Sequence, residues 1–255
     1  MKVRILGCGT SSGVPRIGND WGACDPAEPR NRRTRASILV ESETTRILVD
    51  TGPDLREQLL AADVADVDAV IWTHDHADHC HGIDDLRQLF HARGHPVEGH
   101  ARADTLDSLR LRFAYAFDGR DGYPPTVAGR DLADDWMVGD IRVRVTDQPH
   151  GSITSAGLRF DGPGGSIGYS TDFNAMTDDM VRLFEALDLW VVDALRYRPH
   201  PTHPDLAMTL AWIDRLRPAR AILTHMDQSM DYRTLLTQLP PGVEPGWDGL
   251  EARAQ

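Results

Sequence analysis

Thr73-His74-Asp75-His76-Ala77-Asp78-His79-Cys80-His81-Gly82 packs four histidines and two aspartates into eight residues, directly behind the apolar run Ala69-Val70-Ile71-Trp72. The apolar run reads as a buried strand. Imidazoles and carboxylates crowded at the end of such a strand repel and are costly to desolvate unless a cation neutralises them. The spacing suits two cations. His74 and His76, alternate residues where the strand breaks up, can face one ion, and Asp78 and His79, one turn further on, a second. A solvated His/Asp loop is the bland alternative, and dense clusters of this kind point away from it.

Other strand ends carry residues of the same type. Arg142-Val143-Arg144-Val145-Thr146 alternates like a half-buried strand and runs to His150, Ser166 to Thr171 runs to Asp172, and Ala221-Ile222-Leu223-Thr224 runs to His225. Two more strands stop at Asp50 and Asp193. These two carboxylates read as partners for the outer N–H of metal-bound imidazoles, the usual device for fixing tautomer and ring orientation. His81 is grouped with them as a supporting residue.

The ordered set His74, His76, Asp78, His79, His150, Asp172 and His225 resembles the metallo-β-lactamase-fold hydrolases along nearly the whole chain. Within that group the chain is most similar to the phosphodiesterases of phosphonate utilisation, which cleave phosphoribosyl cyclic phosphate. The features that carry this are Leu6-Gly7-Cys8-Gly9-Thr10-Ser11-Ser12-Gly13-Val14-Pro15, the arginine-rich Arg30 to Arg35, and His203-Pro204-Asp205-Leu206. The tRNA 3′-end-processing nucleases share the general pattern, and such an endonuclease, or a non-catalytic nucleotide-binding protein on the same scaffold, is the alternative reading. The resemblance implies a four-layer αββα sandwich, where periodicity alone gives only α/β.

It also implies the roles. His74, His76 and His150 would hold one divalent ion, Asp78, His79 and His225 the other, and Asp172 would bridge them, with Zn²⁺ or Mn²⁺ as the metal. A water held between the ions would attack a small cyclic or nucleotide-like phosphodiester. His203 is carried over as the proton donor to the leaving group, with Asp78 beside it among the catalytic residues and His200 as its rival. Gly13, Arg35 and His200 are the expected substrate contacts. Relatives often place several cysteines after the first loop for a separate structural zinc, whereas this chain offers only Cys24 there.

Composition sets the outer bounds. The chain has 255 residues, 41% of them hydrophobic, enough for one large domain over 1–255 with a helical insertion at about 101–130. No apolar run is long enough to span a bilayer and the start lacks a signal-peptide core, so the expected location is the cytoplasm, with no membrane partner. Three widely spaced cysteines, Cys8, Cys24 and Cys80, do not form a disulfide framework. A net charge of −12 argues against a stable nucleic-acid complex, which relies on clustered Lys and Arg. The arginines from Arg30 to Arg35 are the local exception and could dock an anion. A homodimer is left open.

The remaining periodicities predict a hairpin over Ala36 to Ser42 and Thr45 to Asp50, and helices at Asp54 to Ala62, about Asp84 to Ala92, Asp104 to Phe117, Thr177 to Ala186 and Asp205 to Leu216. The helix from about Asp84 is expected to start against the metal site. Residues Asp118 to Gly129, rich in proline and glycine, read as a loop. His91, His95 and His100 lie among turn signals, with no strand end to deliver them, and read as non-ligands.

Overall fold

In the computed structural model, which describes residues 1–254, the alternation along each strand sorts side chains onto two faces. Ile38 and Val40 of one strand and Ile47 and Val49 of the next point into one core, while Leu39 and Leu48 between them point into another. A strand buried on both faces must lie between two layers, and that requirement decides the architecture.

The first sheet contains β1 (Lys2–Gly7), β2 (Ser37–Glu41), β3 (Arg46–Val49), β4 (Ala69–Ile71), β5 (Val97–Ala101) and β6 (Val127–Asp131). The second contains β7 (Asp135–Val138), β8 (Ile141–His150), β9 (Ile153–Gly162), β10 (Gly165–Ser170), β11 (Leu189–Asp193), β12 (Arg220–Thr224) and β13 (Val243–Pro245). A last strand, β14 (Glu251–Arg253), returns to pair with β1 in the first sheet. Among the described residues each sheet has seven strands, in the order β14-β1-β2-β3-β4-β5-β6 and β13-β12-β11-β10-β9-β8-β7. The predicted hairpin is the antiparallel β2–β3 pair, with Ile38 opposite Val49.

Between the sheets Ile5, Ile38, Val49 and Ile71 meet Val143, Leu158, Phe160, Ile167 and Tyr169. Helices cover the outer faces. α1 (Leu55–Ala62), α3 (Leu86–Arg93), α4 (Ala103–Arg112) and α5 (Ala114–Asp118) pack Leu55, Leu86, Leu106 and Ala116 against the first sheet, and α2 (Ala77–Cys80), which follows β4, adds Cys80 to the same core. α6 (Asp178–Phe184), α7 (Leu206–Leu216) and α8 (Tyr232–Gln238) contribute Phe184, Ile213 and Leu235 to the core of the second. This is the four-layer αββα sandwich. No helix among the described residues is long and apolar enough to cross a membrane.

Three local expectations need correction. The helix expected from Asp104 to Phe117 is broken at Phe113, whose backbone (φ −123°, ψ 37°) leaves the helical region and separates α4 from α5. The loop expected through Gly129 ends earlier, because Val127 to Asp131 joins the sheet as β6 in parallel register with β5. His100 belongs to β5, opposite Ile71, rather than to a turn. Its strand is hard to read because Gly99 interrupts it, and a Cβ there would lie 2.4 Å from the Trp72 ring. The segment at about 101–130 is thus the helical crossover between two adjacent parallel strands.

Candidate metal centre

The site forms where strands of both sheets end. The first sheet supplies Asp50 after β3 and the stretch His74 to His79 after β4, and the second supplies His150 at the end of β8, Asp172 after β10, Asp193 at the end of β11 and His225 after β12. Asp50, Asp172 and His225 all turn with positive φ (65°, 55° and 57°). Such backbone costs of order 1–3 kcal/mol at a non-glycine residue, and its recurrence at three strand ends marks a constrained functional corner. The helix that starts at the site is α2, with His76 as its N-terminal flanking residue, rather than the later helix expected from about Asp84. Gly52 and Gly82 let the chain close against it: a Cβ on Gly82 would lie 2.1 Å from the Gly52 carbonyl. The resulting contacts are Thr51 N–H to His79 O at 2.8 Å and Gly82 N–H to Thr51 O at 2.7 Å.

Asp172 is the geometric centre. Its Oδ1 lies 3.7 Å from Nε2 of both His74 and His150, and its Oδ2 lies 3.2 Å from Nε2 of His79 and 3.5 Å from Nε2 of His225. His76 joins the first group, with its Nδ1 3.3 Å from His150 Nε2, and Asp78 the second, with its Oδ2 3.4 Å from His79 Nε2 and 3.5 Å from His225 Nε2. His74, His76, His150 and Asp172 therefore lie within reach of one ion, and Asp78, His79 and His225 within reach of another.

The donor atoms fit metal ions on two physical grounds. Nε2 of His74, His79 and His225 is buried without a hydrogen-bond partner, which is costly for a polar atom unless an ion takes the lone pair. The charges are also mutually unbalanced. Burial opposes a charged imidazole at His79 and His225, yet Asp172 and Asp78 push His79 well above the usual histidine value and His225 up to about 9. Burial raises the Asp172 carboxyl, but His225 and His79 outweigh it and hold the group well below the usual range. Burial, reinforced by the neighbouring His79 and opposed by Asp172, holds His74 well below the usual histidine value. Cations would supply the positive charge that protons on His79 and His225 otherwise provide.

Supporting contacts surround the cluster. Asp50 accepts from His79 Nδ1 at 2.7 Å and from the Thr73 backbone and hydroxyl, so His79 Nε2 is the atom left to face the centre. Asp193 Oδ2 accepts the Asp172 N–H at 3.0 Å and His203 Nδ1 at 2.9 Å. His203 Nε2 then lies 3.7 Å from Asp172 Oδ1. Asp172, Asp193, His203 and His225 also fall within ligand distance of one another, but the Asp193 oxygen nearest His203 is already engaged.

Other sequence candidates land differently. His81 is not among the supporting residues: it is exposed, with its ring against Phe113 at 5.6 Å, because its own N–H closes the α2 turn on Ala77 O and its side chain projects away. His200 is half-exposed, its Nδ1 accepting the Thr202 N–H and its ring 5.1 Å from that of His203. Gly13 (φ +64°) and Arg35 are neighbours, since a Cβ on Gly13 would lie 3.6 Å from Arg35 Nη1. Arg35 is paired with Asp54 at 3.1 Å.

The arginine run does not form one anion patch. Arg33 is buried, donating to Met230 O at 2.6 Å and Asp227 O at 3.2 Å and facing Cys24 Sγ at 3.9 Å, and Arg30 lies over the Tyr232 ring. Charge in the sequence does not reveal direction, and here an extended segment is threaded between the glycine-rich opening and the loop at 227–230. Ser108 and Arg112, which hold Asp75, were not singled out by the sequence, where they look like ordinary helix-surface residues.

Comparison with known proteins gives a consistent set. The model of the beta-lactamase superfamily domain matches residues 45–226. A solved structure, described as that of a new diphosphatase from the PhnP family, is 33% identical, covers 99% of this chain and 97% of its own, and superposes with a TM-score of 0.90. A Porphyromonas gingivalis protein named octanoyltransferase is 32% identical over 259 residues, 99% of this chain and 51% of that protein. Ribonuclease Z of Methanopyrus kandleri is 31% identical over 133 residues, 50% of this chain and 44% of that enzyme. The chain spans about half the length of the curated relatives it matches.

Proposed function

We infer the function from one premise: the chain belongs to the beta-lactamase superfamily, on its PhnP branch. We propose that it is a metal-dependent hydrolase of small phosphodiesters, acting through two divalent ions. The observation that carries this is the division of Asp172, one carboxylate oxygen toward His74 and His150 and the other toward His79 and His225. A carboxylate so placed suits a pair of ions.

When bound, such a pair supplies Lewis acidity, lowering the pKa of a water and neutralising charge on a phosphoryl oxygen. The chain does the rest. His74, His76 and His150 would hold one ion and Asp78, His79 and His225 the other, with Asp50 fixing the His79 ring. His203 donates its Nδ1–H to Asp193, which leaves Nε2, facing the cluster, to carry the proton that the departing alkoxide needs. Burial of His74, His79 and His225 excludes water from one side, while the exposed His76 marks the open side.

Chemistry at phosphorus is supported by two relatives, one named a diphosphatase and one a ribonuclease. The acyl chemistry named for the Porphyromonas gingivalis protein belongs to a chain about twice as long. A small substrate is favoured over a tRNA precursor by the net charge of −12 and by the burial of Arg33. Polyanion binding needs the opposite balance. The test is purified, Zn²⁺- or Mn²⁺-loaded protein on a ribose cyclic phosphate, bis-nitrophenyl phosphate and a tRNA precursor. Turnover of the small esters is expected, and salt-sensitive cleavage of the precursor alone would replace this reading with the nuclease.

A further inference from the structure

Asp75 stands between two candidate ligands, His74 and His76, and its side chain leaves the cluster. It is held by the last turns of α4. Ser108 Oγ donates to Asp75 Oδ2 at 2.5 Å, and Arg112 Nη2 donates to the Asp75 backbone carbonyl at 2.5 Å and to Oδ2 at 3.2 Å. The Asp75–His76 segment lies beyond the end of β4 and before α2, so no ladder fixes it. Within the motif its carbonyls are met only locally, by Cys80 Sγ at 3.4 Å from Asp75 O and 3.1 Å from His76 O and by the His79 N–H on His76 O. Burial pushes the Cys80 thiol up to about 11, so it stays a donor.

His76 is the member of the cluster most dependent on this support. His74, His79, His150 and His225 are buried and their rings are fixed by packing, whereas His76 is exposed. Its ring direction follows from the backbone that carries it. Arg112 grips that backbone and the adjacent carboxylate with one guanidinium, and its own position is set by packing over the Phe113 ring at 5.6 Å. Arg110, two residues earlier, reaches only Gly129 O and Asp107.

We infer that Arg112, assisted by Ser108, is a positioning residue: by clamping Asp75 it aims His76 into the centre and sets the affinity of the ion that His76 would hold. This rests on the two-ion reading above. It also gives the crossover between β5 and β6 a role at the site, through hydrogen bonds that reach Asp75.

The experiment is Zn²⁺ affinity measured by chelator competition on the full chain, alongside thermal unfolding of the metal-free protein and visible spectra of the Co²⁺ form. Arg112→Ala should weaken one ion by about 10–100-fold, the range for groups that orient metal ligands, and leave the other near its wild-type affinity. The Co²⁺ bands should shift, and the metal-free protein should melt close to wild type. Arg112→Lys should restore part of the loss, since an ammonium can reach the carbonyl or the carboxylate but not fork across both. Ser108→Ala should act in the same direction more weakly, and Arg110→Ala should change nothing. Unchanged affinities in Arg112→Ala, or equal weakening of both ions with a lower melting point that lysine does not mend, would overturn the inference. Wild-type protein that takes up no Zn²⁺ would overturn the metal reading itself.

Discussion

The Nδ1 atom of His203 lies 2.9 Å from Asp193 Oδ2, and the opposite ring nitrogen faces Asp172 Oδ1 at 3.7 Å. One carboxylate thus fixes the tautomer of a ring whose other nitrogen faces the cluster. His203→Ala should keep both ions and slow hydrolysis of esters with poor leaving groups by roughly 10²–10⁴-fold, the usual worth of a positioned proton donor. Nitrophenyl esters, whose leaving group needs no proton, should lose far less. Equal losses on both kinds of ester would make His203 a substrate contact, and loss of an ion would make it a ligand.

Asp172→Ala should empty both positions together, because its two oxygens face different groups of imidazoles. Elemental analysis of the purified variant should fall from about two ions per chain toward none. Retention of one full equivalent would mean that Asp172 serves a single ion.

Asp50→Ala removes the acceptor for His79 Nδ1 and leaves the Thr73 hydroxyl without its partner. Metal affinity should drop by about 10–100-fold while the ligand set stays complete. Chelator competition reads this directly.

Much of this corner was legible because its residues are dense and each stands at the end of an apolar run, two signals that survive without any knowledge of the fold. Residues acting from a distance carried no such signal. Arg112 and Ser108 sit on the surface turns of a helix, and only the tertiary placement of α4 brings them to Asp75. β5 was missed because Gly99, required by the Trp72 ring, breaks the strand pattern. β6 was missed because the Pro124-Pro125 turn precedes it closely, and its pairing is with β5, which was itself unread. Arg33 misled for the opposite reason: a charged side chain reads as solvated until its carbonyl partners are seen.

Arg33→Leu should lower stability by at least about 2 kcal/mol, since several buried acceptors lose their donor at about 1–3 kcal/mol each. Metal content should not change, as no member of the His/Asp cluster contacts Arg33. Urea unfolding together with elemental analysis checks both halves.

Asp248 gives a pH test away from the centre. It accepts from the Thr34 N–H and hydroxyl at 2.6 and 2.7 Å and from the Cys8 N–H at 3.1 Å, and burial pushes its carboxyl up to about 6 from 3.8. A carboxyl whose folded pKa is raised contributes stability that is present below the unfolded value and lost as pH rises through the folded one. The advantage of wild type over Asp248→Asn should therefore shrink between about pH 4 and pH 7. A gap that widened over that window would show the carboxylate, not the acid, to be the better fit.

Because the cluster takes side chains from the ends of both sheets, ions held there would also act as a rivet between the two halves of the sandwich. Catalytic and architectural duty then fall on the same seven side chains. A descendant of this chain that gave up its ions to become a simple binding protein would lose a cross-link along with its chemistry. Such a change must be preceded by tighter packing elsewhere between the sheets, so the order in which substitutions can accumulate is constrained by where the strands happen to stop.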